Sequence, residues 1–482
     1  MEKVRLHSKG RSNQLWHPMK GPSLLSSPLL ALRKAKQAFL RTEKTEVLFR
    51  GSLETLLLRV LGAGIRVVIG IMLARMMGAS AYGTYSYAVT WLAFLSLPAM
   101  LGQEQVLVRY VSIYKEARSW AALRGLLRFS LFLGLAGGLV VGLVSMGIVA
   151  LLSGLAWDLR ATMWITLALL PILVLSQMRQ AALRGLDQPA IAQIPDTLVY
   201  PAFLLLFAGL AYLLAGQHLT APGVAAASAG AWLVALSLGT IFLLRKLPQT
   251  LRTVGPAYEK SAWMKMVPPL LFVGVAYNLM SRADVFILGA ISSSRDVGVY
   301  AAALRSAEIV LLIFSAITVA GASLFSSIYA SGDIQELQRF ARLLARAFLW
   351  ATLPAYALMM VFAPFLLGLF GQEFVDGAAA MRVLLTAYFL SSLSGMDNVV
   401  MLYMTGHQKD VAVAMGVMAA VNIGLCFLLI PPLGTAGAAL ASGASILLLK
   451  GSLVVVLYKR VGIVSLPFSF RMKDKVGAGT AG

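Results

Sequence analysis

Charged residues are scarce in this chain of 482 residues, in which Asp, Glu, Lys and Arg together make up 13%. Soluble domains carry about twice that share. Hydrophobic residues make up 59% of the chain, and the mean hydropathy is +0.81. This composition excludes a soluble globular enzyme, a disordered chain and a fibrous protein.

Cysteine and histidine are scarce as well. The single cysteine, Cys426, lies inside an apolar run and allows no disulfide within the chain. The four histidines are scattered without the spacing of metal ligands. We therefore expect neither a metal site nor a cofactor.

Signatures of catalysis are missing too. The chain has no G-x-x-x-x-G-K-[ST] loop to hold nucleotide phosphates and no H-E-x-x-H pair. The segments predicted to face outwards, near 153–162, 216–221, 292–297, 371–377 and 431–435, are short. A membrane polymerase or ligase would need a larger loop for its acceptor and its acidic catalytic groups. The sequence thus predicts a protein that is not an enzyme.

Long uncharged runs are what the chain does contain. Residues 76–103 and 129–157 have no charged residue, and 197–244 and 411–449 are each long enough for two passes. A membrane-spanning helix needs about 20 apolar residues, and lipid leaves the backbone no partner outside its own helix. We predict an all-α polytopic membrane protein with twelve spans, near 53–77, 82–101, 123–152, 161–183, 190–214, 222–244, 266–290, 298–325, 343–370, 378–403, 409–430 and 436–458.

The net charge of +21 follows the predicted topology and does not indicate nucleic acid. Eleven Lys and Arg residues precede residue 51, and others cluster in alternate loops, whereas the opposite loops hold little beyond Arg75, Arg160 and Arg295. Basic residues stay on the cytoplasmic side of a membrane. We therefore expect both termini in the cytoplasm, with the membrane surface as a partner of the basic tail.

Two halves of six spans echo one another. Gly83-Thr84-Tyr85 and Gly298-Val299-Tyr300 open the second and eighth spans, 215 residues apart. The segment from Gly223 to Ser228 matches the one from Gly437 to Ser442 at an offset of 214. An even number of spans per half makes the repeats parallel, related by a pseudo-two-fold axis along the membrane normal. Substrate sites in such transporters lie between the halves.

The predicted organisation follows from this duplication. It comprises a cytoplasmic basic tail (1–52), an N-terminal six-helix lobe (53–246), a cytoplasmic linker (247–265), a C-terminal six-helix lobe (266–460) and a cytoplasmic tail (461–482). The glycines Gly134, Gly138 and Gly142 form a stripe on the third span. We expect this stripe to allow close helix packing.

Charged residues inside the spans are costly and mark a cavity or an ion pair. Arg66 and Arg282 stand 17 and 16 residues before the repeated glycines, so the two-fold axis would bring them together. Two cations need an anion between them, and the planar guanidinium suits phosphate oxygens. Arg59 shares a helix face with Arg66 and alternatively reaches the membrane surface.

Other charges within the spans have two interpretations. Arg305 and Glu308 are three residues apart and pair locally or face a cavity. Asp284, Asp397 and Lys450 are candidates for ion coupling or gating together with Glu308. The simpler alternative for Lys450, and for Asp196 in the fifth span, is that each satisfies a neighbouring helix.

Several motifs resemble those of a known family. Leu73-Ala74-Arg75-Met76-Met77-Gly78 with Tyr82-Gly83-Thr84-Tyr85, Gly102-Gln103-Glu104-Gln105, and Ala182-Leu183-Arg184-Gly185 with Pro189 are similar to segments of the oligosaccharide flippases for O-antigen and exopolysaccharide units. These belong to the multidrug/oligosaccharidyl-lipid/polysaccharide (MOP) exporter superfamily. The resemblance covers roughly residues 51–460.

The resemblance implies a function in the bacterial inner membrane. It implies alternating access that moves a polyprenyl-diphosphate-linked oligosaccharide to the outer leaflet, with a cationic cavity that would contain Arg59, Arg66, Arg282 and Arg305. Polysaccharide polymerases and glycosyltransferases would be partners, and protons or Na⁺ would drive the cycle. The alternatives are a multidrug exporter of the same fold, which should favour an acidic cavity, and a membrane glycan polymerase or ligase.

Overall fold

The structure is a computed structural model that describes the backbone of residues 43–467 apart from 215, 217 and 266. Side chains are described from residue 57 onwards, apart from 59, 252, 269, 270, 273, 315, 316, 319, 320, 322 and 323. Over this range the chain is nearly all helix and has no β-strand. The helices are α1 (Glu43–Met100), α2 (Gln103–Glu116), α3 (Trp120–Leu151), α4 (Trp157–Ala168), α5 (Leu170–Gly185), α6 (Pro189–Ile194), α7 (Tyr200–Leu214), α8 (Ala221–Lys246), α9 (Lys260–Lys265), α10 (Val267–Ile291), α11 (Ser294–Ala307), α12 (Ile309–Ser331), α13 (Ile334–Val361), α14 (Ala363–Gly368), α15 (Ala378–Ser392), α16 (Asn398–Met404) and α17 (Gln408–Val461).

The predicted fold class, an all-α polytopic membrane protein, is confirmed. Nine helical segments within the described residues are long and apolar enough to cross a bilayer. Their outward faces carry large apolar side chains, for example Phe132 and Leu143 on α3. Such exposure suits lipid, because hydrocarbon solvates these side chains as well as a protein interior does.

Two elements each consist of two helices joined at a kink. α1 has 58 residues and α17 has 54, and the kink divides each into two segments, so that neither is one continuous helix. Each contains one glycine with a non-helical backbone, Gly78 at φ 74° and Gly434 at φ 54°. These glycines lie where the sequence predicts loops between spans. The count of twelve spans stays a prediction.

Other segments depart from the predicted boundaries. The tenth span, predicted as continuous, is interrupted between α15 and α16, where Gly395 has φ 73°. The fifth contains a π-helical turn, Pro195–Val199, which inserts one residue into the helical register. α2 was not predicted, because its mean hydropathy is low and its apolar residues occupy one face only.

The glycine stripe of α3 packs as predicted. A Cβ at Gly134 would overlap the Met178 side chain, and one at Gly138 would lie 2.8 Å from the Cα of Pro171. Both neighbours belong to α5. Glycine is needed at position 138, where a side chain would meet backbone and push the two helices apart, whereas at position 134 the flexible end of Met178 would have to move.

Repeated residues of the two halves meet each other. A Cβ at Gly83 would overlap the carbonyl oxygen of Ser294, and a Cβ at Gly298 would overlap that of Ala79. These glycines correspond at the offset of 215 and touch through their backbones. By contacts the chain divides only at Ser52, with residues 53–482 in one unit, so the two-lobe boundaries stay a prediction.

The segment after the last helix of each half folds back onto that half. In the linker, Ala257 N donates to Ala121 O at 2.9 Å, and Trp263 is fully buried. After α17, Val464 N donates to Gln338 Oε1, and Gln338 Nε2 donates to Val464 O, both at 2.7 Å. The linker makes its contact near the start of α3, and the segment after α17 makes its contact near the start of α13. Residues 1–42 and 468–482 of the predicted tails lie outside the described residues.

Candidate functional site

A cavity of about 700 Å³ lies between the two predicted halves. The first half contributes parts of α1, α4, α5, α7 and α8 and of the π-helical turn. The second half contributes parts of α10, α11 and α12 only. Most of the wall is apolar, which leaves a small number of polar groups to set what the cavity binds.

Three of the four predicted arginines line this cavity. Arg66 enters from α1, Arg282 from α10 and Arg305 from α11. Arg66 and Arg282 therefore line the same cavity, and their role in binding stays a prediction. Arg59, the fourth, has a side chain outside the described residues.

Glu308 also lines the cavity, but its partner is not the one expected from the sequence. Glu308 Oε1 lies 3.3 Å from Arg282 Nη2, and the seven ion pairs of the described residues include none between Arg305 and Glu308. The local pair considered for Arg305 and Glu308 is wrong, because Glu308 pairs with Arg282 of the neighbouring helix α10 instead. Arg305 and Glu308 both face the cavity, which was the other interpretation. Arg282 is thus partly neutralised, with 39% of its side chain still exposed.

Arg66 and Arg305 have no such partner. Neither belongs to an ion pair among the described residues, and the Arg305 guanidinium lies 5.7 Å from the centre of the Tyr82 ring. Gly62 lies beside Arg66 and leaves room for Thr197, since a Cβ there would overlap the Thr197 side chain and lie 3.5 Å from the guanidinium. Uncompensated cations at membrane depth are costly, so the cavity favours an anion.

Both halves meet at one end of the cavity, which we call the Gly83 end. The Gly83–Gly298 contact lies here. Glu373 Oε2 accepts from Ala79 N at 2.9 Å, and Arg75 Nε donates to Leu369 O at 2.6 Å. Tyr82 also packs edge-on against Phe374, with centroids 5.7 Å apart. These contacts close the Gly83 end in the present conformation.

Asp284 was predicted to couple or gate, and the structure places it outside the cavity lining. It is 1% exposed and accepts hydrogen bonds from Tyr300 Oη at 2.5 Å and Ser442 Oγ at 2.8 Å. Val285 N donates to its other oxygen. No lysine or arginine forms an ion pair with this buried carboxylate within the described part of the chain.

Asp397 and Lys450, also predicted to couple or gate, pair with each other. Lys450 Nζ lies 2.7 Å from Asp397 Oδ1 and 5.3 Å from the centre of the Phe314 ring. Asp397 also caps α16 by accepting from Val399 N at 3.2 Å. Neither lines the cavity. Among the predicted coupling residues, only Glu308 does.

Two further features belong to the cavity wall. Asp196 lines the cavity and forms an ion pair with Arg179 of α5 at 2.7 Å, in agreement with the interpretation that it satisfies a neighbouring helix. Arg179 is 4% exposed and also donates to Ala235 O. Tyr200 and Trp232 stack with centroids 4.2 Å apart. The π-helical turn that carries Asp196 leaves no signature in the residue spacing.

Comparison with sequence families gives two matches. Residues 48–327 match the family described as polysaccharide biosynthesis protein, and residues 269–431 match the family described as MatE. The first match covers more than half of the chain. No curated protein matches this chain significantly.

Several solved structures share the fold. An inward-facing multidrug resistance MATE transporter of the MOP superfamily has a TM-score of 0.70 at 17% identity, covering 83% of this chain and 94% of its own. An outward-facing form has a TM-score of 0.63 at 16%, covering 88% and 97%. A MOP superfamily transporter from Pyrococcus furiosus, whose binding pocket is described as of reverse polarity, has a TM-score of 0.62 at 15%, covering 86% and 95%.

Proposed function

Because this chain belongs to the polysaccharide biosynthesis protein family of the MOP superfamily, we propose that it moves a polyprenyl-diphosphate-linked oligosaccharide across the cytoplasmic membrane. It is a multi-pass membrane transporter. The observation that supports this substrate is the convergence of Arg66, Arg282 and Arg305 on one cavity. The diphosphate would bind between these arginines.

The physical reason is the cost of moving a diphosphate through hydrocarbon. An ion in a medium of low dielectric loses its hydration, and only paired charges or hydrogen bonds replace it. Arg66 and Arg305, which lack carboxylate partners among the described residues, would supply them. The polyprenyl tail would stay in the bilayer while the head group occupies the cavity.

Alternating access would follow from relative movement of the halves. The basic ends of the helices, where the linker also lies, would face the cytoplasm, and the closed Gly83 end would face outwards. Substrate would then enter from the cytoplasmic leaflet and leave when the Gly83 end opens. Both termini would be cytoplasmic, next to the glycosyltransferases that make the substrate, and a polymerase would receive it outside.

Coupling to protons or Na⁺ would use the acidic residues. Glu308 would release Arg282 to the diphosphate when it binds a proton or Na⁺, because the two now form an ion pair. Asp284 and the Asp397–Lys450 pair would respond to the same ions away from the cavity. That protons or Na⁺ drive transport through these residues is part of this proposal.

A multidrug exporter is the second candidate, since part of the chain matches the MatE family and the fold is shared with multidrug transporters. A cavity for cationic drugs should be acidic. Here three arginines face two carboxylates, and Asp196 is already paired with Arg179. The Pyrococcus furiosus protein, for which reverse pocket polarity is described as suggesting a different function, illustrates that pocket charge varies within this fold.

The test is translocation of a lipid-linked oligosaccharide by the purified protein in liposomes. Arg66→Gln and Arg282→Gln should each slow translocation by about tenfold or more, because each removes a charge-assisted contact. Arg295→Gln is the matched control: Arg295 forms an exposed ion pair with Asp376 and does not line the cavity. Unchanged transport in both cavity variants, compared at equal amounts of reconstituted protein, would contradict the proposal. Export of cationic dyes instead would establish the second candidate.

A further inference from the structure

The cavity wall divides into two chemically different parts. The arginines enter from α1, α10 and α11, whereas the part formed by α4, α5, α7 and α8 presents Gln177, Thr166, Tyr200 and Trp232. This second part, together with Ser86 of α1 and Asp196, we call the neutral wall. It belongs entirely to the first half of the chain.

The aromatic pair of the neutral wall covers its own inner ring faces and leaves an outer ring face as an apolar surface for a ligand. Tyr200 and Trp232 stack at 26° between ring planes, and both remain partly exposed along the cavity. A pyranose ring has an apolar face of C–H groups, and this face packs on aromatic rings while its hydroxyls point sideways. An aromatic platform in a cavity therefore suits a sugar when polar groups surround it.

Such polar groups are present and lack partners. Ser86 and Thr166 line the cavity, are 4% and 2% exposed, and their hydroxyls make no hydrogen bond within the described residues. Helical Ser and Thr usually bond to the carbonyl four residues earlier, as Thr90 and Thr162 do here. A buried hydroxyl without a partner is unfavourable, because it has lost its hydrogen bonds to water. A bound ligand with hydroxyl groups would remove that cost.

Asp196 adds an acceptor whose charge is already compensated. Its Oδ1 accepts from Arg179 Nη2 at 2.7 Å and from Ser176 Oγ at 2.9 Å, while Oδ2 has only a 3.3 Å contact with Gln180. Oδ2 thus keeps capacity to accept from a hydroxyl. Because Arg179 neutralises the carboxylate, Asp196 does not strongly repel a diphosphate in the same cavity.

We propose that the neutral wall is a sugar subsite: it binds the saccharide next to the diphosphate by stacking on Tyr200 and Trp232, with hydrogen bonds to Ser86, Thr166 and Asp196. This inference rests on the proposed function. It assigns the phosphate to the junction of the halves and the choice of sugar to the first half alone.

The experiment measures binding to the full-length protein in nanodiscs. The probes are undecaprenyl diphosphate without sugar and the same lipid carrying one glucose, galactose or N-acetylglucosamine. The wild type should bind at least one sugar-bearing probe about tenfold more tightly than the bare lipid. Trp232→Leu and Tyr200→Leu should reduce this preference to less than about twofold, while Trp232→Phe should retain most of it.

A matched control separates the effect of losing any stacked aromatic pair from the effect of losing the sugar subsite. Tyr356 and Phe389 stack with centroids 4.4 Å apart and do not line the cavity, so Phe389→Leu should leave the preference unchanged. Arg66→Gln should weaken the bare and the sugar-bearing lipid equally.

The outcomes separate the two proposals. The sugar subsite is wrong if the wild type has no preference for any sugar-bearing probe, or if Trp232→Leu weakens all probes equally. The proposed function itself is wrong if no undecaprenyl diphosphate binds, or if Arg66→Gln leaves binding of the bare lipid unchanged.

Discussion

The two halves of the chain share their packing and differ in their charges. Tyr85 and Tyr300 correspond at the repeat offset, as do Ser228 and Ser442. In the first half Tyr85 Oη lies 2.6 Å from Ser228 Oγ. In the second half both corresponding hydroxyls donate to Asp284, which is inserted between them. The same contact is therefore direct in one half and bridged by a carboxylate in the other.

The ion pairs differ in the same way. In the first half the cation, Arg179, lies on α5, and its partner Asp196 lies in the π-helical turn Pro195–Val199. In the second half the acid, Asp397, precedes α16 and the cation, Lys450, comes from α17. A duplicated scaffold keeps the contacts on which packing depends, because each loss would leave a void. Charged residues can change in one half without disturbing the other, and function follows these changes.

The largest expected effect compares the two ion pairs. Arg179→Met should cost about 3–5 kcal/mol, since it leaves the Asp196 carboxylate without its cation in a buried setting. Lys450→Met should cost about 1–2 kcal/mol, because Asp397 is 31% exposed and reaches other partners more easily. The measurement is thermal unfolding of the purified variants in detergent.

The double variant Arg179→Met with Asp196→Leu checks the cause. It should recover most of the lost stability, because both charges are then removed together. Equal losses for Arg179→Met and Lys450→Met would break the comparison between the halves.

The second effect concerns the contact between repeated glycines. A Cβ at Gly83 or Gly298 meets backbone rather than a flexible side chain, so Gly83→Ala and Gly298→Ala should each disfavour closure by about 1–3 kcal/mol. The readout is labelling of a cysteine placed at Ser86, which lines the cavity, by an impermeant reagent added from the Gly83 side. Labelling should rise about tenfold.

Gly64→Ala is the control for this pair. Gly64 lies in the part of α1 before the kink at Gly78, whereas Gly83 lies after it, and a Cβ at Gly64 would meet nothing within 4 Å. Alanine is also the better helix former, so this variant should keep the labelling rate and stability of the parent. If only one of Gly83→Ala and Gly298→Ala changed labelling, the contact would not be reciprocal as the structure indicates.

The sequence predicted those properties that depend on periodicity and on the cost of burying charge. Membrane helices follow from uncharged runs, and the meeting of Arg66 and Arg282 in one cavity follows from the repeat offset. The partner of Glu308 could not be predicted, because it depends on how α10, which carries Arg282, packs beside Glu308.

Residues of the neutral wall were missed for a related reason. Tyr200 and Trp232 look like ordinary lipid-facing aromatics in an apolar span, and only packing shows that they stack inside a cavity. Likewise, nothing in the sequence around Asp284 indicates that two hydroxyls would donate to it. The sequence pattern shows which residues share a helix face, but tertiary packing decides which side chains that face contacts.

The third effect returns to the two tyrosines. Tyr300→Phe should destabilise more than Tyr85→Phe, by about 1.5–3 against about 0.5–1.5 kcal/mol, because Tyr300 donates to a carboxylate and Tyr85 bonds to a hydroxyl. Asp284→Asn should bring the two losses closer together. Thermal unfolding of the single variants and of Asp284→Asn combined with Tyr300→Phe measures this. Equal losses in the parent background would mean that Asp284 is not ionised.

The smallest expected effect concerns the segments that follow the last helix of each half. The two halves hold these segments by different hydrogen bonds. Tyr114 donates to Glu259 Oε2 at 2.6 Å and accepts from Trp263 Nε1 at 3.0 Å, which fixes the linker. Burial, followed by the hydrogen bond to Glu259, raises the pKa of Tyr114 to about 12. An unfolded tyrosine has a pKa of about 10.

The stabilisation from Tyr114 is therefore complete below pH 10 and is lost as the pH rises from 10 to about 12, because the unfolded chain releases the proton first. Tyr114→Phe should cost about 1 kcal/mol at pH 7 and reduce the loss of stability above pH 10. Gln338→Leu, which removes the two bonds to Val464 in the other half, should cost a similar amount but keep the alkaline loss of the parent. Unfolding temperatures at pH 7 and pH 11 test this difference, and an unchanged alkaline loss in Tyr114→Phe would show that the linker is held by packing of Trp263 alone.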